Sequence, residues 1–325
     1  MVYARLVLMR LFKAVIVLFL IVIFNFLLIQ MAPGDPAAIL AGEAGAADQE
    51  FLDQLRERFG LDQPMYVQLW RYVSGIAMLD FGYSYRLGVP VFDLIMDRLP
   101  ATLLLTGTAF VLSLVLGIVA GSMAAARVKK PSGSLIMALA LVFYATPLFW
   151  VALMSVVVFS VYLGWLPAYG LYTVGAGHTG FALVLDVAKH LVLPATTLAL
   201  FFMAIYTRMT RTSMLDAAQQ DYVKTARAKG LKPGTIQRRH VLRNALLPII
   251  TLAGLQAGQM VGGAILTETV FAWPGIGRLM FEALQQRDYN LLLGIFFFSA
   301  ALVIVFNIIT DVVYRLADPR IKGAS

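Results

Sequence analysis

Apolar residues in this chain come in long blocks and do not alternate with polar ones. Nearly uncharged runs recur near 11–31, 101–126, 134–163, 190–210, 246–269 and 290–314. About 20 apolar residues in a helix match the hydrocarbon thickness of a bilayer. Backbone polar groups inside lipid must pair within their own segment, which selects helices over open strands. The pattern therefore predicts an all-α polytopic membrane protein with six transmembrane helices. The first block follows Arg5, Arg10 and Lys13, as a secretory leader would. Its apolar stretch, Ala14–Met31, exceeds the roughly 7–15 residues of a leader's apolar region, so it reads as an uncleaved first helix.

One long polar stretch, 32–100, interrupts the blocks. Its segment "ADQEFLDQLRERFGLDQP" reads as a capped helix. Asp48 supplies the cap, Glu50 suits the first turn, and Phe51, Leu52, Leu55 and Phe59 form an apolar stripe that Gly60 closes. "DQPMYVQLWRYV" restarts the pattern, with Pro64 in the first turn and Tyr66, Leu69, Trp70 and Val73 on one face. This stretch carries ten acidic and five basic residues. The simplest reading is a small helical cap on the outer membrane face; a docking surface for an outer partner is the alternative. The expected organisation is a first span over 1–31, an outer segment over 32–100, and a five-helix core over 101–325 with a cytoplasmic loop at about 212–245.

Composition agrees with the block pattern. The chain is 60% hydrophobic and 14% charged, with a mean hydropathy of +0.80. A soluble domain of 325 residues could not bury that much apolar surface. No cysteine is present, which excludes disulfides, thiolate metal sites and cysteine nucleophiles. The net charge is +8, and its placement sets a topology. Eighteen Lys and Arg residues fall in the N-terminus, the 127–133 loop, the 208–243 region and the C-terminus; eight fall on the other side, most of them in the long 32–100 segment. Cytoplasmic segments carry the excess of Lys and Arg, so both termini are expected in the cytoplasm.

The densest basic stretch is "DYVKTARAKGLKPGTIQRRHVLRNALLP" (221–248), with seven Lys and Arg residues. Tyr222–Lys229 contains good helix formers, Gly230 stands where a left-handed cap falls, and Pro233 opens a second helix. On a helical wheel Tyr222, Val223, Ala226 and Gly230 share a narrow arc, and Lys224 and Arg227 point away from it. Attraction to anionic lipid explains the outward charges. It does not explain the small-residue arc, since a lipid-anchoring helix places Leu, Phe or Trp there. The arc reads as a shallow face for another protein. A nucleic-acid role would need a soluble domain to present the helix, and the chain has none.

Inside the blocks, "TLAGLQAGQMVGGAILTET" places Gly254, Gly258 and Gly262 four residues apart, a stripe that lets helices approach closely. Gln256 and Gln259 lie off that stripe; they either face a polar path or make helix–helix hydrogen bonds. Glu268 ends the block beside "VFAWPGIG", where Pro274, Gly275 and Gly277 must break the helix. It is a candidate for an outer gate or a re-entrant turn; an acid wetted by the membrane interface is the plainer reading. Asp311 and Arg315, four residues apart, read as a structural pair. No phosphate-binding loop, H-E-x-x-H or G-x-S-x-G occurs, and His178, His190 and His240 are scattered. The chain is expected to move a solute, not to transform one. An ion-coupled carrier would want ionisable groups at mid-membrane, where this sequence offers Asn25, Gln256 and Asn307.

Several segments together resemble one family. "APGDP" (32–36), "LDFGYSYRLGVPV" (79–91), "RLPATLLL" (98–105), "LVLPATTLAL" (191–200), "DYVKTARAKGL" (221–231), "HVLRNALLP" (240–248), "ETVFAWPGIGRL" (268–279) and "DPR" (318–320) are similar to permease subunits of bacterial ABC importers for dipeptides, oligopeptides and nickel. The resemblance implies the type I importer transmembrane fold in the inner membrane and alternating access to one path. The implied partners are a second homologous permease, two ATPase subunits and an extracytoplasmic solute-binding protein, with ATP and Mg held by the ATPases and no cofactor in this chain. It also implies that the basic stretch is the coupling helix docking on an ATPase, through Tyr222, Lys224, Thr225, Ala226, Arg227, Gly230 and Leu231. The general importer pattern begins Glu-Ala-Ala; this chain has Lys224-Thr225-Ala226, as in the peptide branch, and its Pro falls at 248. Import of nickel chelates or another small solute on the same fold stays open.

Overall fold

Apolar blocks without internal breakers grow into long helices, and the computed structural model is helical along most of its length. It describes residues 2–31, 62–84 and 86–317, together with positions 49, 52, 53 and 57. The expected 48–60 helix, "APGDP" and "DPR" lie outside the described residues or nearly so, as do the side chains of Asp311 and Arg315. The helices are α1 (Val2–Met31), α2 (Met65–Ala77), α3 (Val91–Ala126), α4 (Pro131–Ala145), α5 (Leu148–Ser155), α6 (Gly180–Ala218), α7 (Asp221–Ala228), α8 (Pro233–Thr235), α9 (Arg243–Val270), α10 (Ile276–Gln285) and α11 (Tyr289–Ala317). Wider π-helical turns extend α5 over Val156–Tyr162 and join α8 to α9 over Ile236–Leu242.

Among the described residues, four helical runs are long and apolar enough to cross a membrane: Val91–Ala126, Gly180–Ala218, Pro233–Met260 and Tyr289–Thr310. The apolar part of α1, Phe12–Leu28, is shorter. The block expected as one span over 134–163 differs from a plain helix. It is a pair, Pro131–Ala145 and Leu148–Tyr162, bent by 100°. The cause is Pro147, which has no N–H to donate and pushes its predecessor out of the helical region. Thr146 accordingly sits at φ −81° and ψ 133°. Pro100, Pro194 and Pro248, by contrast, lie within continuous helices.

The chain forms two compact units. One comprises Met1–Arg98 and Met280–Ala301. In it Phe26 meets Tyr72 at 5.9 Å, and Gln30 donates to Gln68 at 2.9 Å, so α1 packs on α2. The turn after α2 carries Phe81, whose ring lies 5.3 Å from Phe297 and 5.1 Å from Phe298. Buried Asp288 caps α11 by accepting the Leu291 N–H at 3.2 Å, and it also accepts the Ser84 hydroxyl.

The other unit comprises Leu99–Leu279 and Leu302–Ser325. Its centre is the crossing of α6 and α9, where Leu198, Phe202, Tyr206, Ile249 and Met260 are buried with Ala109 from α3. Lipid tails are as apolar as these side chains, so close packing drives this assembly more than exclusion from water does. Small residues permit the closeness. A Cβ at Gly117 would overlap the Tyr206 side chain, and one at Gly121 would lie 2.6 Å from the Thr207 carbonyl oxygen.

Candidate functional site

Three places within the second unit hold the residues singled out by sequence. The first is the C-terminal end of α9. Glu268 is completely buried. Its carboxylate accepts the Thr102 hydroxyl at 2.7 Å and the backbone N–H groups of Gly277 and, at 2.9 Å, Arg278. Thr102 in turn accepts the Ile276 N–H at 2.8 Å, and the buried Trp273 indole donates to the Ala101 carbonyl at 2.8 Å. The end of α9 and the turn after it are thereby tied to α3 by three hydrogen bonds. Its glycines are needed for space: a Cβ at Gly275 would strike the Glu268 carboxylate, and one at Gly277 would come within 2.7 Å of Ile265 Cα. Ala272 takes the left-handed region at φ 47°, and the Arg278 guanidinium braces its carbonyl at 2.8 Å. Glu268 is therefore an internal tie, neither wetted at an interface nor turned toward an open path. Thr102, Ala101 and Trp273 were not singled out by sequence; Thr102 is one of several hydroxyl residues in its apolar block, and only its place beside Pro100 sets it apart.

The second place is the glycine stripe. A Cβ at Gly254 would overlap the Thr310 side chain, and one at Gly258 would lie 2.9 Å from Val303 Cγ1, so both glycines seat α11. Gly262 has open space around it; its neighbour Gly263 faces Leu198 and Phe202 instead. Gln256 is buried and Gln259 exposed.

The third place is the basic stretch. Gly230 stands at φ +74° with nothing near its missing side chain, so conformation and not space demands glycine there. The arc expected to be shallow and free is divided. Val223 and Ala226 are buried against Met214, Ile236 and Val241. Tyr222, Lys224, Thr225, Arg227, Gly230 and Leu231 are exposed. The face expected to meet a partner through Ala226 thus meets the chain's own core, because the returning segment 236–245 folds beneath α7. What remains outward is Tyr222 and Leu231, each 39% exposed, among charged neighbours. Lys224 is held to Asp221 at 2.8 Å on this surface.

Comparison with known proteins decides the family. Residues 117–323 match the binding-protein-dependent transport system inner membrane component, and residues 3–106 match the N-terminal model of the same membrane components. The chain belongs to this family. It is a multi-pass transport permease subunit of the binding-protein-dependent importers. It is similar to the dipeptide transport system permease protein DppB of Alkalihalophilus pseudofirmus, with 39% identity across 96% of this chain and 98% of that one. It is also similar to the oligopeptide transport system permease protein AppB of Bacillus subtilis, with 40% identity across 98% and 99% of the two chains. Among solved structures, the MetNI methionine ABC transporter shares the fold at a TM-score of 0.56 and 17% identity, over 69% of this chain and 96% of that one.

Proposed function

We propose that this permease forms, with a second homologous permease, a translocation path for di- or oligopeptides, and that it opens to each side of the membrane in turn. The peptide assignment rests on the relatives just named, which match along nearly the whole chain. Two ATPase subunits hold ATP and Mg on the cytoplasmic side, and a solute-binding protein delivers the peptide outside. The excess of Lys and Arg in the 208–243 region and both termini supports a cytoplasmic location for them.

The observation that carries the coupling reading is the outward face of α7. Tyr222, Thr225 and Leu231 are exposed beside a helix whose opposite face is fully packed. A helix held rigidly from behind transmits force, and one lying free on lipid would not. Movement of the ATPases then reaches α9 through the continuous segment 233–270.

The test is co-purification of the ATPase subunits with Tyr222→Ala and Thr225→Arg variants. Both changes are on the exposed face, so the variants should insert and stay folded. Loss of the ATPases and of ATP-driven peptide uptake is expected. Retention of both activities in both variants overturns the docking face.

A further inference from the structure

An open cleft of about 520 Å³ lies between α4, α6 and α9. Its walls combine flexible apolar side chains, Met137 and Met209, with four polar ones, Tyr144, Arg208, Thr212 and Gln256. No acidic residue lines it. Arg208 has no carboxylate in reach among the described residues. Gln256 is 9% exposed, and its carbonyl oxygen is buried without a donor. The Tyr144 ring is stacked on Phe201 at 5.4 Å, which fixes one wall.

A buried amide without a partner is costly at membrane depth and marks the paths of polar solutes. Arg208, by contrast, is an exposed residue of the cleft wall, where it can meet an anionic solute. The two groups are also complementary in kind. Arg208 offers a planar fork of donors that suits a carboxylate. Gln256 lines the cleft, and a turn of its side chain would offer the unsatisfied carbonyl oxygen to an N–H. A lipid phosphate would satisfy the first and leave the second empty. A short peptide carries both groups on its main chain, whatever its side chains are. Methionine walls adapt to side chains of different shape.

We propose that this cleft is a station on the path where Arg208 takes the terminal carboxylate of a short peptide and Gln256 takes a main-chain N–H. The assignment rests on the peptide reading above and adds the chemistry that is recognised.

The experiment uses the importer assembled with its partner subunits in proteoliposomes, supplied with its binding protein and ATP. Uptake of radiolabelled dialanine is compared with that of dialanine amide, which lacks the carboxylate charge. The same binding protein serves every permease variant, so its own preference cancels when variants are compared. In Arg208→Gln the acid-to-amide preference should fall about tenfold, the weight of one charge-assisted bidentate contact. Arg208→Lys keeps the charge without the fork and should lie between. Gln256→Leu should slow both probes alike, since both carry the N–H. Binding-protein-stimulated ATP hydrolysis should persist in all three, which separates recognition from misfolding. Equal loss of both probes in Arg208→Gln means a lipid phosphate or a structural contact and overturns the assignment; so does an unchanged ratio. A wild-type assembly that hydrolyses ATP yet imports neither probe overturns the peptide reading itself.

Discussion

The two ends of α9 solve opposite problems. At its C-terminal end Glu268 is fully buried, and each donor around it is matched to an acceptor. At its N-terminal end the chain leads back through a π-helical turn to α7, whose outward face is charged, exposed and held to itself by one surface ion pair. Buried polar groups must be satisfied internally, so their geometry is rigid and their loss is expensive. Exposed ones are solvated and cost little to change. The C-terminal end therefore behaves as frame, and the N-terminal end as a surface whose value depends on something outside this chain.

The largest effect expected from breaking this contrast is at Glu268. Glu268→Leu leaves the Thr102 hydroxyl and the Gly277 and Arg278 N–H groups without an acceptor. Each orphaned donor costs about 1–3 kcal/mol. Fluorescence-detected size exclusion after heating should show the detergent-solubilised chain losing most of its folded population. Glu268→Gln keeps one acceptor oxygen but turns an amide N–H toward existing donors, so it should fall between Leu and wild type. A Glu268→Leu variant as heat-stable as wild type would refute the frame.

A second, smaller effect separates the glycines of one stripe. Gly254→Ala drives a methyl into Thr310 on α11, and overpacking of this kind costs roughly 1–3 kcal/mol. Gly262→Ala meets nothing and gains helix propensity, up to about 1 kcal/mol. The same heat-stability assay should give opposite signs. If Gly262→Ala is stable alone yet fails to assemble with the second permease, its open side is the permease–permease contact.

These glycines show what the sequence reveals and what it withholds. A four-residue spacing announces a smooth helix face, but it does not say which turns of that face have a neighbour. Gly117 and Gly121 carry the same spacing and also make close approaches, against Tyr206 and Thr207. Their block gave no other cue. The long helices were legible because twenty apolar residues have few alternatives in lipid. The bend at Pro147 was not, because Pro100, Pro194 and Pro248 have the same local chemistry and stay within helices. Burial of Glu268 depends on Thr102, 166 residues away in sequence, and no local pattern encodes such a pairing. The basic stretch was half legible. Its helix and its glycine turn follow from local rules, whereas the burial of Val223 and Ala226 depends on the return of 236–245 beneath them.

At the N-terminal end of α9 the expected effects on stability shrink. Gly230→Ala asks an alanine to adopt φ +74°. With no steric neighbour the cost is conformational alone, roughly 1 kcal/mol. The melting curve should shift slightly, and uptake should fall more than stability does if the turn aims α7 at an ATPase.

Lys224 gives the smallest shift and the sharpest reading. Its ammonium pairs with Asp221 at 2.8 Å, with the two side chains 69% and 93% exposed. A pair so open to water contributes about 0–1 kcal/mol at most. Lys224→Ala should therefore leave the melting temperature of the isolated permease unmoved. Any fall in co-purified ATPase in this variant must then come from contacts across the interface. Raising the salt concentration distinguishes the two sources that remain. If Lys224 steers the ATPase by charge, wild type should lose its advantage over Lys224→Ala as ionic strength rises. If the aliphatic stem packs against the partner, the difference should survive. A lower melting temperature for the permease alone would instead place Lys224 in the frame and erase the division between the two ends of α9.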